Sequence, residues 1–149
     1  MRTWFALPSF LVCLVLVCGC SSESLPFAGG ELEGREVPAP EDWTQVAKRE
    51  IVQLETRPED PYSVNIWVIS QGPYLHIFAG GTRAEWVDHI DANADVRLKI
   101  GEEIYLLRAR RVLDADEFER FARGWKSKYG RRPWNEDVND TYLFRLTAR

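Results

Sequence analysis

The sequence predicts a mainly β, α+β domain: six antiparallel strands closing into a small barrel that carries two helices. Three observations lead there. Short apolar runs with period-two alternation follow one another, parted by turn residues rather than long crossovers, which pairs neighbours antiparallel. Two helix-start signals interrupt them and set the order β-β-β-α-β-β-α-β. Abundant Trp, Tyr, Phe, Ile and Val supply apolar material for a core.

The first strand is 50–56 (EIVQLET), closed by the turn-rich Arg57-Pro58-Glu59-Asp60-Pro61. The second, 62–69, puts Tyr62, Val64, Ile66 and Val68 on one face and Ser63, Asn65, Trp67 and Ile69 on the other. Gln71-Gly72-Pro73 turns the chain into a third strand, 74–79, in hairpin register. Gly80-Gly81 breaks it. Thr82-Arg83-Ala84-Glu85 then fits a capping box, with Thr82 and Glu85 satisfying the first amides of a helix over 83–92. Segments 96–100 and 103–112 read as a hairpin around Gly101-Glu102. Asp114 with Glu117 starts the second helix, whose Phe118, Phe121, Ala122, Trp125 and Tyr129 form an amphipathic stripe. Lys126 and Lys128 suit its C-terminal dipole and Gly130 the residue past its end. An irregular segment, 131–140, leads to a last strand, 141–146.

Ahead of this domain lies an export signal. Arg2 precedes an apolar run from Trp4 to Val17. That run falls short of the roughly 20 apolar residues a membrane-spanning helix needs. Val17-Cys18-Gly19-Cys20 resembles the lipobox of bacterial lipoproteins, which implies lipid on the Cys20 sulfur and cleavage after Gly19. The three cysteines fall at 13, 18 and 20, so the processed chain keeps one and forms no internal disulfide. The division expected is a signal over 1–19, a lipidated N-terminus and tether over 20–40, and the domain over 41–149. Order is expected to begin near Gly30, because Leu32, Val37 and Trp43 look built to dock; residues 41–47 can form a helical turn. By resemblance to bacterial sorting patterns, Ser21 favours the outer membrane where a cell has one.

Losing 19 of 149 residues leaves 130, the size of one domain with a core, and moves the net charge from −4 to −5. No basic face calls for nucleic acid. No Cys-x-x-Cys, Gly-x-Ser-x-Gly, His-Glu-x-x-His or Walker loop is present. Asp88-His89-Ile90-Asp91 lacks the His spacing of a metal site, so no metal is expected. Lys126, Lys128, Arg131 and Arg132 form a basic helix end, open to solvent or to an anion.

The stretch 74–82 (YLHIFAGGT), followed by 86–100 (WVDHIDANADVRLKI), resembles the FMN-binding split-barrel superfamily of pyridoxamine 5′-phosphate oxidase and the deazaflavin-dependent nitroreductases. Ala94 stands where that family commonly has Pro. The resemblance spans about 50–146 and implies a six-stranded antiparallel split β-barrel with flavin in a groove between two protomers, hence a homodimer. By position, Arg57, Ser63, Thr82 and Arg83 are implied to hold the phosphate, and Trp67 or Trp86 to pack on the isoalloxazine ring. A helix start and an Arg fork both suit an anion. Two readings follow. One is a membrane-anchored envelope lipoprotein binding FMN, a deazaflavin coenzyme or a related phosphate ligand, and an oxidoreductase if it is an enzyme. The other is a cofactor-free split barrel acting as an envelope binding or scaffolding module.

Overall fold

The computed structural model describes residues 29–149; the signal segment and Cys20 lie outside the described residues. Among those described, the elements run β1 (Arg35–Glu36), β2 (Ile51–Thr56), β3 (Tyr62–Gln71), β4 (Tyr74–Phe78), α1 (Glu85–Ala92), β5 (Asp95–Ile100), β6 (Glu103–Arg111), α2 (Ala115–Tyr129) and β7 (Leu143–Ala148). Six strands bond in the order β6-β5-β2-β3-β4-β7, and β7 returns to β6, closing an antiparallel barrel. This is the barrel the period-two runs predict. The short β1 is an addition. It pairs parallel to β6, Arg35 opposite Glu103, and gives no apolar signal of its own.

The two faces of β3 show how the sequence sorts its layers. Ile66 and Val68 enter the barrel core with Leu54, Leu75, Ile77, Leu98 and Leu146. Trp67 and Ile69 point outward, where α2 covers them with Phe121, Ala122 and Trp125. Trp67 stacks on Tyr129 at 5.0 Å between ring centroids. The Tyr129 hydroxyl accepts the Val68 N–H at 3.2 Å and lies 2.9 Å from the Val68 carbonyl. Each large apolar side chain buried this way contributes about 1.5–3 kcal/mol.

α2 starts and stops where its end signals place it. Asp114 accepts the Glu117 N–H at 2.7 Å, and Gly130 ends the helix at φ +78°. α1 departs from expectation. The capping box at Thr82 does not form: the helix begins at Glu85 behind an extended Ala84, with no side chain capping it. The extended backbone of Ala84 (φ −75°, ψ 154°) sets the start, and the Arg83 guanidinium reaches forward to pair with Asp88 and Asp91. The last strand also shifts, from 141–146 to Leu143–Ala148. Thr141 is instead buried as a turn residue, its hydroxyl donating to the Asp137 carbonyl at 2.9 Å. The turn expected over 41–47 appears as a 3-10 turn at Val46–Lys48.

The segment before β2 lies on the barrel. Leu32 and Trp43 are buried, the latter edge-on to Tyr105 at 4.8 Å. No helix among the described residues is long and apolar enough to cross a membrane.

Candidate functional site

The link from β4 to α1 builds a basic, aromatic corner. Gly80 sits at φ +61°, and a Cβ there would fall 2.4 Å from the Trp134 ring, so only Gly lets that indole rest on the backbone. Trp134 also packs on Phe78 at 5.9 Å, yet stays 67% exposed. Two backbone bonds, Ala79 N–H to the Tyr142 carbonyl and Tyr142 N–H to the Gly80 carbonyl, dock the residue before β7 against this corner.

The Tyr142 ring is bracketed by cations. The Arg111 guanidinium lies 4.4 Å from its centroid and that of Arg83 5.5 Å. Arg111 donates to the Thr141 carbonyl and leaves its Nε without a partner. Tyr142, then Asp88 and Asp91, push the Arg83 pKa further up, so it stays charged at any working pH. The uncapped start of α1 faces the same link and leaves amide groups at the positive end of a helix dipole. An anion meeting two guanidiniums and a helix start is held by charge and directed hydrogen bonds together.

The sequence-chosen residues divide. Thr82 and Arg83 belong to this corner. Arg57, at φ +55°, pairs with Asp60 at 3.3 Å and lies over Tyr62 at 5.5 Å. Tyr62 meets His89 edge-on at 4.9 Å, and His89 Nδ1 lies 2.9 Å from the Thr56 hydroxyl. Burial, followed by Glu85, raises the Tyr62 pKa. At 100° per residue, Glu85 and His89 occupy one flank of α1 while Asp88 and Asp91 occupy the other, so Arg57 and Arg83 do not converge. Ser63 is buried and clasped by Gly29, each N–H bonding the other's carbonyl at 2.8 and 2.9 Å. Trp86 is 7% exposed and packs edge-to-face on Phe144 inside the barrel, offering no free ring face. Trp67 is likewise covered, by Tyr129 and Trp125.

Arg111, Trp134 and Tyr142 complete the corner, and the sequence gives little notice of them. Arg111 and Tyr142 meet because β7 pairs with both β4 and β6, bringing Arg111 opposite Phe144, while Trp134 arrives from the loop before β7.

No family model matches the chain, and no curated protein matches it. Solved structures share its fold. An FAD-binding protein from Mesorhizobium loti is 18% identical with a TM-score of 0.51, covering 71% of this chain and 86% of that one. A candidate pyridoxamine 5′-phosphate oxidase from Listeria innocua is 15% identical with a TM-score of 0.54, covering 68% and 86%. A candidate 5-nitroimidazole antibiotic resistance protein from Bacteroides thetaiotaomicron is 11% identical with a TM-score of 0.52, covering 72% and 80%. The chain thus shares the split-barrel fold of these structures.

Proposed function

We propose that this split barrel binds flavin, a deazaflavin or a related aromatic phosphate at the corner before α1, that it serves as an oxidoreductase, and that a lipid on Cys20 anchors it to the cell envelope. The observation that carries the reading is the bracketing of Tyr142 by Arg83 and Arg111 beside an uncapped helix start. The residues fit a phosphate group. Arg111 sets its guanidinium 4.4 Å from the Tyr142 ring centroid, Thr82 has an exposed hydroxyl, and Arg83 can exchange an aspartate for a phosphate oxygen. The exposed face of Trp134 suits an aromatic ring. The flavin itself would supply the electron-transfer chemistry, leaving the chain to bind, orient and exclude water. The family's groove lies between protomers, so a homodimer belongs to this reading.

The test is flavin fluorescence quenching on the full-length chain in non-ionic detergent, titrated with FMN, FAD and a deazaflavin. Micromolar binding is expected, with Arg83→Ala and Arg111→Ala each weakening it about 10-fold or more, the value of a charge-assisted hydrogen bond. No binding of any of the three overturns the flavin reading and leaves a cofactor-free barrel. Labelling with a palmitate analogue, lost in Cys20→Ser, tests the anchor. Light scattering tests the dimer.

A further inference from the structure

β4 is five residues long, so its start lies roughly 15 Å from the corner at its end. At that start, the turn from β3 to β4 and the outer face of α2 enclose a cleft of about 540 Å³. Its chemistry comes from Tyr74 and His76 of β4, Glu117, Arg120 and Arg123 of α2, and Arg145 of β7. Spacings of three place the α2 residues on one helix face. His76 lies opposite Arg145 in the strand register, which brings β7 into the same wall.

Three guanidiniums therefore meet one carboxylate, and that carboxylate is already engaged. Glu117 accepts from His76 Nε2 at 2.9 Å and from Arg145 at 3.2 Å. Arg123 has a surface partner in Glu119 at 3.1 Å. Arg120 has no carboxylate partner among the described residues. His76 is 1% exposed and its Nδ1 has no hydrogen-bond partner; the Arg145 Nε also has none. Tyr74, 41% exposed, lines the cleft, with the Arg145 guanidinium 4.9 Å from its ring centroid. Arg120 thus brings a charge without a carboxylate partner to the mouth of a cleft whose buried His76 Nδ1 is also unpartnered.

We propose that this cleft is a second binding site, taking a phosphomonoester group whose organic part lies against Tyr74. Planar guanidinium forks match phosphate oxygens in pairs, and three of them offer more N–H donors than the two oxygens of a monocarboxylate can accept. The volume exceeds that of a bare phosphate and lies in the range of small-molecule sites. The group can come from a soluble organic phosphate or from the headgroup of phosphatidic acid. The site shares no residue with the corner before α1, so it stands whether or not flavin binds there.

The test is calorimetric titration of the full-length chain in non-ionic detergent with inorganic phosphate, phenyl phosphate and benzoate. Phenyl phosphate is expected to bind about 10-fold tighter than inorganic phosphate, because the ring adds stacking contact. Arg120→Gln, on the exposed face of α2, is expected to weaken phenyl phosphate about 10-fold without shifting the unfolding midpoint. Arg83→Ala is expected to leave it unchanged. Benzoate binding as tightly as phenyl phosphate would overturn the phosphomonoester assignment. So would phenyl phosphate binding that ignores both Arg120→Gln and Arg145→Gln, or no heat at millimolar phenyl phosphate. Competition by a short-chain phosphatidic acid separates the sources: stronger than phenyl phosphate for a lipid headgroup, weaker for a soluble ligand.

Discussion

Arg97 of β5 stands opposite Glu55 of β2, and its Nη1 reaches both carboxylate oxygens, at 2.9 and 3.0 Å. Glu55 is only 3% exposed at its side chain, so the pair offsets a buried charge. It also clips down the segment before β1. The Leu32 N–H donates to Glu55 at 2.6 Å, and Arg97 donates to the Leu32 carbonyl at 3.3 Å. Arg97→Met leaves the carboxylate buried and unpaired, which costs about 3–5 kcal/mol. Urea denaturation should show that loss, and Glu55→Leu added to Arg97→Met should recover most of it. In the single variant, trypsin should cut faster at Arg35.

Gly80→Ala tests the seat of Trp134. The added Cβ meets the indole at 2.4 Å and must hold a positive φ, a combination costing about 1–3 kcal/mol. Trp134 should lift from Phe78, and its emission should move to longer wavelength. Unchanged fluorescence would mean that the ring does not rest on this backbone.

His76 gives a pH signature. Burial, the largest cause, lowers its pKa; Glu117 pulls it back up, and Arg145 and Arg120 push it down. The unfolded chain protonates this imidazole near 6.5, while the folded chain refuses the proton until a lower pH. Between those values the unfolded state binds more protons, so stability falls as pH drops and levels off below the folded value. His76→Gln removes this contribution. The stability gap between wild type and variant should therefore narrow as pH falls below 6.5, as measured by denaturation at a series of pH values.

Phe121 anchors α2 to the barrel, fully buried among Phe78, Phe118 and Trp125. Phe121→Ala should cost about 3–5 kcal/mol, the range for emptying an aromatic from a core. Thermal unfolding would report it, and a loss under about 1 kcal/mol would show that α2 packs loosely.

Much of the architecture is legible because it is local. Alternation in β3 assigns its two faces, and Asp114, Glu117 and Gly130 mark the ends of α2 through bonds spanning three or four residues. What escapes is set by partners far along the chain. The motif at Thr82 to Glu85 reads as a capping box, yet Ala84 is extended and the helix starts only at Glu85, while Arg83 pairs with Asp88 and Asp91. Nothing near Glu55 announces Arg97, and nothing near Arg111 announces Tyr142. Half of the corner before α1, Thr82 and Arg83, is readable from a helix start. Arg111 and Tyr142 depend on strand register, which a single sequence leaves undetermined, and Trp134 on a loop docking against Gly80.

β7 is the keystone of the barrel, bonded to β4 on one side and β6 on the other. Until residues 143–148 arrive, β4 and β6 each present a raw edge of unpaired amides and carbonyls. A chain delivered N-terminus first, from a ribosome or through a membrane pore, therefore cannot finish folding while it is still threading. Its vulnerable interval ends only when β7 itself is free, and a partner that shields strand edges would matter most in that interval.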